Sequence, residues 1–498
     1  MQLKEYSITE LQDQMEQAEL TAAELSEAFL QRIDEIDRAG PTLRSVIEVN
    51  PDAIAIADKL DQERRTQGPR GPLHGVPILV KDNIDSADRM MTTAGSLALE
   101  GNIAPRDAFV VEKLRQAGAV LLGKTNLSEW AYFRSTRGCS GWSSRGGQVR
   151  NPYALDRNPC GSSSGSGVAV AANLCTASIG TETDGSIVCP SSTNGIVGIK
   201  PTIGLVSRSG IVPIAHSQDT AGPMARSVSD VAAVLTALVG YDARDPITRE
   251  GVGKEAADYC QYLDPDGLKG ARLGVARNYF DRHEKADAII EDAIEELKSL
   301  GAIIVDPVDF SSLGLFIEPE FELLLYEFKA DLNNYLADHP KAKVRSLEDV
   351  ISFNRANAEV MMPYFRQELL ELAQSKGDLK EEAYLEAKRE CLRLSRTEGI
   401  DKAVREHHLD AIIAPTNGPA WSIDPIVGDH ILGGCSSPAA MAGYPHITVP
   451  AGYAYGLPIG LSFFSSAYQE GKLIRYAYAF EQATRVRRPP SFAEHAEA

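Results

Sequence analysis

Apolar positions in the first forty residues recur at helical spacing, with Leu25, Phe29, Ile33 and Ile36 on one face. Ser7 with Glu10 and Thr21 with Glu24 match the capping box, in which hydroxyl and carboxylate each satisfy a free backbone N–H. Two helices within residues 1–40 follow. Short apolar runs bounded by turn residues then predict buried strands. Ile78–Val80 follows the segment Pro-Leu-His-Gly-Val-Pro at 72–77, and Ala119–Leu122 lies between Gly118 and Gly123 after a helical pattern over Val110–Gln116. Further strand candidates are Ile196–Ile199, Leu273–Val275, Ile303–Val305, Ala411–Ala414, Ile447–Val449 and Leu461–Phe464. A helical pattern over Ala286–Leu300 stops at Gly301, where a C′ glycine belongs. Strands and helices alternating over the whole length predict an α/β fold.

Two stretches break the alternation. Asn126 to Gly167 is dense in Ser, Gly, Arg and Asn, long for a surface loop, and joins a small, apolar, helix-like run over Val168–Cys175. Residues 315–405 are almost wholly helical in pattern, with Leu323–Leu325, Phe328, Leu332 and Leu336 on one face and much of the charge. They read as a helical insertion or cap on the α/β core. Its apolar face can pack on that core or meet a substrate.

Composition narrows the classes. Of 498 residues, 43% are hydrophobic, which is enough apolar material to exclude disorder as the main state. The net charge of −19 weighs against nucleic acid or an anionic membrane as partner, since both repel negative surface. Seven cysteines form no CxxC and no zinc-ligand spacing, and are expected as reduced thiols. No apolar leader and no run of 18 apolar residues stands out. Together these predict a cytoplasmic protein without a metal.

Three segments can carry chemistry. Cys160-Gly-Ser-Ser-Ser-Gly-Ser-Gly167 lacks the lysine of a phosphate loop. It matches the nucleophile elbow Gly-x-Ser-x-Gly with Ser163 central, yet the preceding Asn151–Pro159 carries two prolines and is no strand. Gly180-Thr-Glu-Thr-Asp-Gly-Ser186 reads alone as a turn before a strand, but glycine beside serine lets backbone N–H groups converge on one oxyanion. Lys81 follows a buried strand, and a lysine drawn into low dielectric loses its proton more readily and can act as a base.

These three segments stand in the order and at the offsets of the amidase signature hydrolases, which the chain resembles over nearly its whole length. Lys124-Thr-Asn-Leu-Ser-Glu-Trp130, Arg145-Gly-Gly-Gln148, Gly195-Ile-Val-Gly-Ile-Lys-Pro201, Asp219-Thr-Ala-Gly-Pro-Met-Ala-Arg-Ser227 and Ala414-Pro-Thr-Asn417 extend the match. Cys160 and Ser164 replace glycines of the Gly/Ser loop, Asp184 replaces a glycine of the nucleophile loop, and Val188-Cys189 stands where many members have Arg. With these features the chain looks most like the bacterial peptide amidases, which remove the C-terminal amide of peptides.

The resemblance implies one large domain over residues 1–498, a central mixed β-sheet covered by helices on both faces, with the helical insertion. It implies a Ser–Ser–Lys triad, with Ser186 as nucleophile, Ser162 as bridging serine after a cis Gly161–Ser162 bond, and Lys81 as base. Backbone N–H groups of Thr183, Asp184, Gly185 and Ser186 would hold the oxyanion. An acyl-enzyme would form and be hydrolysed, with ammonia released and no cofactor. A monomer or weak homo-oligomer without an obligate partner chain is expected, acting on a peptide or small-molecule amide. The alternatives are a broad aryl or aliphatic amidase, an amidotransferase A-type chain fed by glutamine, a non-catalytic binding protein on this scaffold, and a Ser163 hydrolase. His74, close to the Lys81 motif, is expected to be structural.

Overall fold

The computed structural model describes residues 3–310, 312 and 314–497; residues 1, 2, 311, 313 and 498 of the expected domain lie outside the described residues. Thirteen strands occur among the described residues: β1 (Val46–Val49), β2 (Pro77–Lys81), β3 (Val120–Thr125), β4 (Trp142–Ser143), β5 (Gly147–Gln148), β6 (Ala177–Glu182), β7 (Val197–Lys200), β8 (Thr220–Ala225), β9 (Arg272–Ala276), β10 (Ile303–Val308), β11 (Ala411–Pro415), β12 (His446–Ala454) and β13 (Leu457–Phe464). Eleven form one sheet in the order β1-β3-β2-β6-β8-β7-β12-β13-β11-β9-β10, and β4 with β5 makes a separate ribbon. The sheet is mixed: β2 runs parallel to β3 and β6, β9 parallel to β10 and β11, and the other pairs are antiparallel.

Strand alternation builds a core on each face. Ile78 and Val80 join one apolar cluster and Leu79 the other. Likewise Leu121 faces one side, and Val120 and Leu122 the other. Helices Phe109–Gln116, Val228–Leu238, Glu284–Ser299 and Glu470–Thr484 cover the first face; Ala22–Arg32, Ala53–Gln67 and Ser164–Ala171 cover the second. Both N-terminal capping boxes form, over Ile8–Glu16 and Ala22–Arg32.

Some expectations need correction. Gly123 does not end a strand: it lies inside β3, where a Cβ would stand 2.4 Å from the Glu48 carbonyl oxygen of β1. The glycine is there to let β1 approach. Segment 126–167 is no plain loop, since it holds the ribbon and a 3₁₀ turn over Glu129–Tyr132. The buried helix starts at Ser164, so the Gly/Ser run supplies its first turn. β6 carries little apolar signal, because Ile179 is the one large apolar side chain in Ala177–Glu182. The turn after it leads into helix Val188–Thr193 and not into a strand.

Between 317 and 407 the chain contributes helices, with Ile317–Ala337 the longest. Leu325, Phe328, Leu332 and Leu336 pack in a cluster with Trp130 and Phe133, so this face of the helix serves packing. Among the described residues no helix is long and apolar enough to cross a membrane.

Candidate active site

β2 and β6 lie side by side and parallel, so both carboxyl ends open on the same edge of the sheet, where α/β folds place their ligands. Lys81 is the last residue of β2, and Thr181 and Glu182 end β6. The Lys81 amine is fully buried and has three neighbours: Ser162 Oγ at 2.7 Å, Thr181 Oγ1 at 2.8 Å and the Thr181 carbonyl oxygen at 3.2 Å. A neutral amine has two N–H bonds and one lone pair. Both Thr181 oxygens can take the N–H bonds, which leaves the lone pair for the Ser162 hydroxyl. Burial pushes the Lys81 amine down to about 7, against the pull of Asp219 and Glu182.

The Gly161–Ser162 peptide is cis. The Ser163 amide donates to the Ser186 carbonyl at 3.2 Å, so the two serine-bearing segments run side by side. Ser163 Oγ is engaged elsewhere: it donates to the Thr181 carbonyl (3.0 Å) and accepts from the Thr181 amide (3.2 Å). The elbow reading with Ser163 as nucleophile loses its hydroxyl to this pairing. Exposure is graded across the candidate residues: 0% for Lys81, 2% for Ser162 and 8% for Ser186.

One expectation about this region is overturned. Cys160 and Cys189 form a disulfide, so the seven cysteines are not all reduced thiols. Their sequence separation of 29 hides the pairing, and the fold supplies the proximity. The bond joins the residue before Gly161–Ser162 to the helix after Ser186. It also removes the cysteine-based ground for a reducing compartment.

The turn after β6 is held on several sides. Glu182 Oε2 accepts from the amides of Ile187 (2.7 Å) and Val188 (3.0 Å). Thr183 Oγ1 donates to Asp219 at 2.5 Å, and Asp219 also accepts from the amides of Ile214 and Ala215. Burial raises the Asp219 carboxyl to about 6. Gly185 takes φ +75°, a region that costs residues with a Cβ. Asp184 does not reach the sheet's lysines by hydrogen bond; its carboxylate accepts from Ser437 Oγ at 2.6 Å.

A cleft of about 640 Å³ opens here, lined by Cys160, Gly161, Asp184, Gly185, Val188 and Cys189 together with Tyr279, Phe316, Ile317, Asn417, Ile431, Leu432, Ser436 and Ser437. Ile317, Ile431 and Leu432 are exposed large apolar residues. His74 stands apart, buried, with Nε2 at 2.9 Å from the Leu60 carbonyl. Thr181, Glu182 and Asp219 have parts here that the sequence motifs do not assign. Asp219 lies inside a matching motif, whereas nothing in the sequence signals Ser436, Ser437 or the apolar residues at the cleft's rim.

A family model described as Amidase matches residues 24–474. The crystal structure of native peptide amidase from Stenotrophomonas maltophilia superposes with a TM-score of 0.93, at 54% identity over 98% of both chains. A "Probable amidase" of Arabidopsis thaliana is 42% identical over 98% of this chain and 92% of its own length. The A chain of the Glutamyl-tRNA(Gln) amidotransferase of Pseudomonas aeruginosa is 33% identical over 98% of this chain and 100% of its own.

Proposed function

The chain belongs to the amidase family and is a hydrolase of amide C–N bonds, and on that premise we propose that it works through a Ser186–Ser162–Lys81 triad on the C-terminal amides of peptides. The observation that carries the triad is the buried Lys81 amine 2.7 Å from Ser162 Oγ. A serine hydroxyl attacks poorly until a base takes its proton. Neutral Lys81 takes the proton of Ser162, which takes that of Ser186. Ser186 Oγ bonds to the amide carbonyl carbon, and the carbonyl oxygen gains the negative charge. The N–H groups of Thr183, Asp184, Gly185 and Ser186 receive that charge. The relay then runs backwards: Ser162 hands a proton to the departing nitrogen, the C–N bond breaks and ammonia leaves. Water, deprotonated through the same relay, cleaves the acyl-enzyme to the free acid.

Peptide amides are the proposed class because the cleft, of about 640 Å³, is bordered by the exposed apolar side chains Ile317, Ile431 and Leu432, which suit the side chains of a peptide. The likeness to peptide amidase supports the same choice. The test is ammonia release from peptide amides, aryl amides, fatty amides and glutamine by the purified single chain. Turnover of peptide amides above the other classes is expected, abolished in Ser186→Ala and milder in its loss in Ser163→Ala. Turnover of glutamine alone, only with added partner chains, would favour an amidotransferase component. Undiminished activity in Ser186→Ala would sink the triad.

A further inference from the structure

Four consecutive residues, 216–219, connect the helix Ile317–Ala337 to the turn that carries Ser186. His216 Nδ1 lies 2.9 Å from Asp331 Oδ2, and the His216 amide donates to the same carboxylate at 2.8 Å. Ser217 donates through its amide (2.8 Å) and hydroxyl (2.5 Å) to Glu327. Gln218 donates from Nε2 to Glu320 at 2.8 Å and to the Thr183 carbonyl at 3.2 Å. Asp219 takes the Thr183 hydroxyl. Glu320, Glu327 and Asp331 fall at i, i+7 and i+11, so one face of the helix holds the strap throughout. The same helix starts beside Phe316 and Ile317 of the cleft.

The peptide unit is rigid and planar, with its carbonyl and the next N–H pointing in opposite directions. Whatever holds the Thr183 carbonyl therefore aims the Asp184 N–H, one of the groups proposed to face the oxyanion. Gln218 is fully buried, and among the described residues its Oε1 has no hydrogen-bond partner, so the side chain is held by its donor end. We propose that Gln218 is a positioning residue for amide hydrolysis, one side-chain amide through which the cleft-lining helix sets the orientation of the Thr183–Asp184 peptide. This rests on the triad reading above.

Gln218→Leu keeps the bulk and loses both hydrogen bonds. Loss of a whole oxyanion donor costs on the order of 10²–10³ in kcat, and misaiming one is expected to cost about 10–100-fold, with KM within about threefold. A merely structural role would lower the melting temperature and leave kcat per folded molecule unchanged. Should Gln218→Leu fail to fold, Gln218→Met, unbranched and unable to make either hydrogen bond, gives the answer: it lowers kcat by the same factor with KM within about threefold. A folded Gln218→Leu or Gln218→Met with kcat within twofold of wild type overturns the proposal. Ser186→Ala is run beside them. If it retains turnover the triad reading falls and this inference with it; if it is dead while Gln218→Leu turns over normally, only this inference falls.

Discussion

Lys81 Nζ sits 2.7 Å from Ser162 Oγ, and neither side chain is open to bulk water. A charged amine there lacks the hydration that would repay its burial, so the proton is easily lost.

Activity should therefore rise with pH. Lys81 acts as base only when neutral, and its amine is held at about 7. The profile of kcat/KM for a neutral peptide amide is expected to climb through a midpoint near 7 and level off above about 8. Lys81→Ala should lose nearly all turnover, with some recovery at high pH as hydroxide replaces the base. A flat profile between pH 5 and 9 would contradict the role.

The same amine links stability to pH. In the unfolded chain it would hold its proton up to about 10.5, and in the folded protein only up to about 7. Between those values the unfolded state binds more protons, so the Lys81 contribution to stability rises with pH; below about 7 the full penalty of burying the charge applies. Compared with an inactive Lys81→Met variant, the wild type should gain melting temperature from pH 7 to pH 10. A difference that stays constant or runs the other way refutes this.

Reduction should loosen the site. Closing a loop of the 29-residue separation between Cys160 and Cys189 corresponds to roughly 3–4 kcal/mol in the chain-entropy model. Reductant is expected to lower the melting temperature of the wild type and to leave a Cys160→Ser/Cys189→Ser double variant unmoved. Turnover should fall in both, because the bond fixes the Ser162 segment to the helix after Ser186. An unchanged melting curve for reduced wild type would show that the neighbouring contacts suffice.

Gly185→Ala should harm chemistry more than folding. Its φ of +75° is costly for alanine by about 1–2 kcal/mol, and the new Cβ would lie 2.9 Å from Ser436 Oγ. Relief requires the turn to shift, which moves the N–H groups beside Ser186. Kinetics should show kcat down about 10–100-fold with a small drop in melting temperature. Wild-type kcat would mean the turn is not held as described.

Much of this is legible in the sequence where one physical signal dominates. The paired capping residues Ser7/Glu10 and Thr21/Glu24 both form as expected, since a capping box is local. Ile78–Val80 is a central strand because continuous apolar runs suit burial on both faces. β6 is not legible, because Ser178, Gly180, Thr181 and Glu182 do not look like a strand, and of these Thr181 and Glu182 serve the site. The Cys160–Cys189 pairing and the ties from Gln218 and Asp219 to Thr183 depend on which segments the sheet brings together, which spacing along the chain does not reveal.

The position of the cleft's two sides has a consequence for how this protein can change. Lys81, Ser162, Thr181 and Ser186 all lie before residue 187, while Tyr279, Phe316, Ile317, Ile431 and Leu432 come from the latter part of the chain. The reacting groups and the groups that select what reacts are thus encoded apart. Recombination downstream of β8 exchanges one set of walls for another and keeps the serines and the lysine, and it stays productive where the incoming segment still supplies partners for Gln218 and Asp184, as Glu320 and Ser437 do here.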